Sequence, residues 1–178
     1  MNRGSTLLNS PKIAPYGSWK SPITSDLIVE GTVGLSQPTF DGDDIYWMEM
    51  RPKEAGRNVI IKRNSTGSSV EVNEPPFNAR TRVHEYGGGD YLVSNGTVCF
   101  SNFSDQRLYR QDGPGATPLA LTAPGEMRYA DSCMDQTRGR LICVREDHTR
   151  TDVEAVNSIV SVNLEPSDDH GTVLVEGN

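Results

Sequence analysis

The densest set of reactive and charged side chains lies in residues 78–91, which read NARTRVHEYGGGDY. This stretch combines two arginines, a histidine, a glutamate and two tyrosines with three consecutive glycines. Histidine and carboxylate side chains transfer protons, and arginines bind anions. Consecutive glycines let the backbone turn sharply or lie close against another surface. We therefore predict a loop that holds its polar residues at one place, either as a solvated connection between strands or as a functional rim.

A serine nucleophile of the α/β-hydrolase kind needs the pattern G-x-S-x-G, which places the serine on a strained strand-to-helix turn. The pattern is absent from the 178 residues. The nearest fragments, Gly17-Ser18 and Gly67-Ser68-Ser69, lack the second glycine at the required offset. None of the three histidines is tied by sequence to a serine and an acid in a known triad order. We predict no catalytic residue in this chain.

Metal and cofactor patterns are also incomplete. His84-Glu85 begins like a zinc-protease motif, but Gly88 stands where the second histidine belongs. The segment Asp41-Gly42-Asp43-Asp44 offers three carboxylates, but it lacks the later glutamate of a calcium loop and is explained by a hairpin turn. The triple glycine is not followed by the Lys-Ser/Thr of a phosphate-binding loop. We predict neither a metal nor a cofactor.

Two long motifs carry a resemblance to a known family. They are ARTRVHEYGGGDY at residues 79–91 and YGSWKSPITSDLIV at residues 16–29. From about residue 14 to its end, the chain resembles the start of the dipeptidyl aminopeptidase and acylaminoacyl-peptidase branch of the prolyl oligopeptidase family of serine peptidases. The resemblance implies a β-propeller, followed in such proteins by an α/β-hydrolase domain that carries the catalytic triad.

The elements that would position the rim are short strands that recur three times. Apolar runs at residues 45–48, 98–100 and 141–144 each follow a turn that contains Gly42, Gly96 or Gly139. These glycines are 54 and 43 residues apart, close to the length of a propeller blade. We predict an all-β partial β-propeller, with an all-β sandwich as the alternative. About three four-stranded blades are expected, at residues 34–76, 86–123 and 126–177.

Residues 1–33 are rich in proline, glycine and serine, which predicts an extended arm. Only residues 25–29 suit a helical turn. Trp19 is the candidate interdomain anchor, since the resemblance implies that it packs against the propeller flank or the hydrolase domain.

Charge and hydropathy limit the partners. A net charge of -7 argues against nucleic acid as a partner. The amino terminus has no apolar run of a secretory signal and no stretch reaches membrane-spanning length, so a cytoplasmic protein without a membrane partner is expected. The three cysteines are predicted to be buried structural thiols (Cys99, Cys133 and Cys143).

Two functions follow, beside a third, an independent hydrolase that uses His84, for which no nucleophile is positioned. In the first, the chain is the opening part of a peptidase propeller, inactive alone, that restricts a separate hydrolase domain to small peptides. In the second, it is a stand-alone binding or interaction module. Open blade edges are expected to favour self-association. The candidates for lining the substrate chamber or the domain boundary are five residues of the rim (Arg80, Arg82, His84, Glu85 and Tyr86). If their role is only local, Glu85 should bond the nearby arginines and Tyr86 should pack beneath them.

Overall fold

Twelve β-strands account for most of the regular structure in a computed structural model that describes residues 13–29 and 31–177. One α-helix, α1, covers Ser25–Val29, and a short 3-10 helix covers Pro52–Glu54. The strands are β1 (Gly34–Asp41), β2 (Asp44–Arg51), β3 (Arg57–Arg63), β4 (Ser69–Glu71), β5 (Tyr91–Ser94), β6 (Thr97–Ser101), β7 (Leu108–Gln111), β8 (Leu119–Ala120), β9 (Met127–Asp135), β10 (Arg140–Asp147), β11 (Val156–Asn163) and β12 (Thr172–Glu176).

The strands form three antiparallel sheets in which sequence neighbours are also spatial neighbours. Blade 1 contains β1 to β4, blade 2 contains β5 to β8 and blade 3 contains β9 to β12. The prediction of an all-β partial propeller with three four-stranded blades is confirmed, as is the helical turn at residues 25–29.

Apolar side chains between the blades form the core, because each sheet has a face that only a neighbouring sheet can bury. Tyr46 and Ile60 of blade 1 pack with Phe100 of blade 2 in one cluster. Leu108 of blade 2 packs with Tyr129 of blade 3 in the second. The second cluster also buries Cys99 and Cys143, and burial raises the pKa of both thiols to about 12. Cys133 is exposed, so its predicted burial is wrong.

The first strand of each blade lies beside the first strand of the next and runs in the same direction. Gln37 of β1 forms hydrogen bonds with Asp90, just before β5. Further along β1, Asp41 accepts from the amide of Gly96, just after β5. Connections therefore alternate between two faces of the array. One face, which we call the connection face, carries the β2–β3, β6–β7 and β10–β11 connections and the blade-to-blade segments at residues 72–90 and 121–126.

The arm at residues 13–33 contributes little to the core. Trp19 is 69% exposed, and its indole nitrogen donates to the Ala14 carbonyl at 3.0 Å, within the arm itself. Other large apolar side chains of the arm are also exposed (Ile13, Tyr16, Ile23, Leu27 and Ile28). Over residues 13–29 and 31–177, no helix has the length and apolar character needed to cross a bilayer.

Candidate functional site

The rim segment at residues 79–83 is an extended strand-like piece held against the β6–β7 connection. Ala79 forms an isolated bridge with Asn102, and the Arg80 amide donates to the Ser101 carbonyl at 2.9 Å. Side chains of an extended chain alternate between two sides. Ala79, Thr81 and Val83 are accordingly buried, which turns the two arginines between them to solvent.

Both arginines lie over one aromatic ring. The guanidinium carbons of Arg80 and Arg82 are 4.9 and 4.5 Å from the ring centroid of Phe103. Phe103 is itself fixed, because its amide donates to the Asn78 carbonyl at 2.8 Å. The guanidinium groups thus gain cation–π attraction and keep their N–H donors accessible.

The tip of the rim is a tight turn over His84, Glu85 and Tyr86. His84 and Glu85 have φ values of 56° and 58°, a left-handed conformation that non-glycine residues rarely adopt. The amides of Glu85 and Gly87 donate to the carbonyls of Arg82 and Val83. Tyr86 is 99% exposed, so the local alternative in which it packs beneath the arginines is wrong. The turn presents its three side chains to the outside.

Glu146 of β10 anchors this tip from blade 3. It is only 5% exposed, and one carboxylate oxygen accepts from the His84 amide at 2.8 Å. The other oxygen lies 2.8 Å from the His148 ring nitrogen Nε2, and the His84 Nδ1 atom is 3.2 Å from the first oxygen. The carboxylate therefore fixes both the backbone and the ring of His84.

A second link from blade 3 reaches the tip through Arg128 of β9. Its Nη1 atom donates to Glu85 at 2.7 Å and to the Arg82 carbonyl at 3.0 Å. The hydrogen bond to Arg128 lowers the pKa of the exposed Glu85 carboxyl. Glu85 was expected to bond a nearby arginine under the local alternative, but its hydrogen-bond partner comes from 43 residues further along the chain.

The triple glycine serves close packing against Asp131 of β9. The Gly89 amide donates to the Asp131 carboxylate at 2.6 Å, and the Asp131 amide donates back to the Gly89 carbonyl at 3.0 Å. A Cβ atom on Gly88 or on Gly89 would come within 2.9 Å of the Asp131 carboxylate. The next residue, Asp90, accepts from the Thr81 amide and from Gln37, and burial raises its pKa. The glycines thus allow blades 2 and 3 to approach each other.

Polar acceptors converge beside the tip. A cavity of about 540 Å³ is lined by His84, Glu85, Glu146, His148 and residues 153–155 and 157. The described residues that line it include two histidines and three glutamates, and none of them is a serine, threonine or cysteine. Among the residues described, no three metal-type side chains converge to hold an ion. The arrangement is suited to binding and positioning, with acceptors in the cavity and donors on the arginines.

Sequence reasoning found the rim but missed its partners. The prediction named the three side chains of the tip and the two arginines. These five residues lie together on the connection face. Phe103, Arg128 and Glu146 were missed because they follow 21 to 62 residues after the side chains they contact, in ordinary strand and turn sequence. Trp19, the remaining candidate, belongs to the arm and forms its hydrogen bond there.

The fold and sequence match solved peptidase structures. A puromycin-hydrolysing peptidase from Mycobacterium tuberculosis is 38% identical over 92% of this chain, with a TM-score of 0.76. The chain is similar to part of the propeller of peptidases of the prolyl oligopeptidase family. Puromycin hydrolase is 33% identical over 85% of the chain, with a TM-score of 0.72. The chain covers 27% and 25% of these two relatives, and it corresponds to part of their propeller.

A more distant match concerns the fold alone. A chain in a nidogen–laminin complex is 13% identical over 81% of this chain and 49% of its own length, with a TM-score of 0.54. No protein-family model matches the chain, and no curated protein matches it either.

Proposed function

We propose that this chain is the part of a serine peptidase propeller that limits access to a catalytic α/β-hydrolase domain carried elsewhere in the parent protein. The observation that carries the proposal is the 38% identity to a puromycin-hydrolysing peptidase, of which the chain covers 27%. The absence of a nucleophile elbow from the sequence supports it too, because the catalytic serine then has to come from another domain.

The proposed substrates are small peptides and related compounds with a free or acylated amino end, as for dipeptidyl and acylaminoacyl peptidases. The connection face is proposed to turn towards the hydrolase domain in a cytoplasmic enzyme. Its support is the construction of the tip: two left-handed residues and a buried carboxylate hold three exposed side chains in place. Strained backbone that is retained by its surroundings is typical of functional sites. Trp19 and the apolar side chains around it are proposed to pack on the same hydrolase domain.

The size selectivity of the parent enzyme tests this function. Values of kcat/KM are measured for puromycin, for chromogenic dipeptides and acyl-aminoacyl compounds, and for the same groups attached to peptides of increasing length. A gating propeller predicts a steep fall as the peptide lengthens and no cleavage of a folded protein. Equal turnover of short and long substrates would contradict gating.

The isolated chain provides the matched control. Purified 178-residue protein is expected to hydrolyse none of these substrates, because it carries no nucleophile elbow. Turnover that copurifies with the chain and is blocked by a serine-directed phosphonate would overturn the proposal. A parent protein without a hydrolase domain would instead favour the stand-alone binding module.

A further inference from the structure

Two guanidinium groups on the connection face form no direct ion pair among the described residues, although Arg80 lies near Asp90 and Arg82 lies near Glu85. Several other arginines form ion pairs, such as Arg51 with Glu71 and Arg110 with Asp112, whereas Arg107 and Arg145 donate to backbone carbonyls. Arg80 and Arg82 instead lie 4.9 and 4.5 Å from the centroid of the Phe103 ring. In a chain of net charge -7, two neighbouring cations over one ring make a local positive patch that favours an anion.

The backbone of both arginines is fixed before any ligand arrives. The Arg80 amide donates to the Ser101 carbonyl, and the Arg82 amide donates to the Gln106 side chain at 2.8 Å. Gln106 in turn donates to the Phe103 carbonyl at 2.9 Å. The backbone of the arginine pair and that of Phe103 thus form one hydrogen-bonded unit, which lowers the entropy lost when a ligand binds.

We infer that Arg80 and Arg82, supported by Phe103, form a binding site for a carboxylate group. A guanidinium that stacks on an aromatic ring keeps its N–H donors in its own plane, where they match the two oxygens of a carboxylate. Residues two apart on one side of an extended segment present two such forks to one ligand. The carboxylate is either the free carboxyl end of a peptide or an acidic side chain of a protein.

The inference deepens the proposed function, because the site lies on the face proposed to meet the hydrolase domain. Binding itself needs only this chain. A failed binding test would therefore contradict the carboxylate site and leave the gating proposal intact. Equal turnover of long and short substrates would contradict gating and leave the carboxylate site intact.

The test is titration of the 178-residue protein followed by NMR of the arginine Nε–Hε groups. The probes are acetyl-Gly-Gly with a free carboxylate, the same peptide as its amide, and acetyl-Asp-Gly-amide, which carries only a side-chain carboxylate. The variant is Arg80→Gln with Arg82→Gln. The matched control is Arg138→Gln with Arg150→Gln, which removes the same charge from two exposed side chains elsewhere. Phe103→Leu removes the ring and keeps an apolar side chain.

The free carboxylate is expected to shift the Arg80 and Arg82 signals, with affinity lowered at least about tenfold in the double variant, since charge-assisted hydrogen bonds are lost. Phe103→Leu should give a smaller loss, and the control should bind as wild type. Binding of the terminal carboxylate alone identifies a peptide end, and binding of the aspartyl peptide identifies a protein partner. The inference is overturned if the amide binds equally well, if the double variant binds as wild type, or if no carboxylate shifts these signals.

Discussion

The Glu146 carboxylate accepts a hydrogen bond from the backbone amide of His84, which stands 62 residues earlier in the chain. This bond ties the tip of the rim to the third blade rather than to the blades it connects. This buried carboxylate accepts from the His84 amide and contacts the rings of His84 and His148, so it fixes the backbone and the ring of His84. The tip is therefore a product of the assembled array.

Removal of this carboxylate tests that relationship. Glu146→Ala leaves the His84 amide without its acceptor, which is expected to cost about 1–3 kcal/mol of the free energy of unfolding. Amide exchange at residues 84–87 should accelerate more than exchange in β6. Glu146→Gln keeps an acceptor and should cost less. Glu154→Ala, which removes an exposed carboxylate from the same cavity, is the control and should leave exchange at the tip unchanged.

The glycines of the rim are tested by adding one methyl group. Gly89→Ala places its Cβ 2.9 Å from the Asp131 carboxylate and 3.3 Å from the Asp131 Cα. Overpacking of this kind is expected to cost about 1–3 kcal/mol in chemical unfolding. Gly34→Ala meets only Met50 side-chain atoms at 3.5 and 3.6 Å, so it should be close to neutral. Equal stability of the two variants would show that blades 2 and 3 do not depend on this approach.

The ion pairs of Glu71, on strand β4 of blade 1, are expected to make the free energy of unfolding depend on pH. Arg51 and then Arg57 lower the pKa of the Glu71 carboxyl, the hydrogen bond from Arg51 being the largest cause. A lowered pKa in the folded state gives stability that is present above the unfolded value, about 4.3, and is lost as the pH falls through the folded value. Since Glu71 is partly exposed, we expect less than about 1 kcal/mol.

Urea unfolding of Glu71→Gln between neutral pH and pH about 3 measures this effect. The variant should lose less stability on acidification than the wild type. Glu74→Gln, which changes an exposed glutamate three residues further on, should keep the wild-type slope. If both variants follow the wild type, the ion pairs with Arg51 and Arg57 contribute nothing to acid sensitivity.

The outermost strand of blade 3 is expected to mediate self-association. Val173, Leu174 and Val175 of β12 are exposed, and an edge strand offers unpaired backbone groups to other chains. Val175→Lys should reduce the associated fraction in sedimentation velocity, because a lysine on an edge strand opposes pairing. Val153→Lys changes another exposed valine, in the β10–β11 connection, and should leave the associated fraction unchanged. A monodisperse wild-type monomer would refute the prediction.

The twelve strands were predictable because each apolar run has the length of a strand and is bounded by turn residues. The blade repeat followed from three such sets at near-equal spacing. The partners of the rim were not predictable. Asp131 packs against Gly89 through a position where β9 departs from regular pairing and has a φ of 54°. Such an irregularity has no local sequence pattern. The sequence around Tyr86 likewise has no pattern that predicts the exposure of its side chain.

The proposal that the connection face acts on the hydrolase domain or its substrate is tested most directly by Glu85→Gln in the parent enzyme. Within this chain, Glu85 pairs with Arg128 at the surface, and exposed pairs contribute little to stability. Asp152→Asn, which breaks another exposed pair, with Arg150, is the control. We predict that Glu85→Gln lowers kcat/KM by about tenfold or more, as expected when one partner of a pair buried between domains is lost, while Tm and the control stay at wild-type values. Unchanged kcat/KM in Glu85→Gln, with or without a lower Tm, would contradict the proposal.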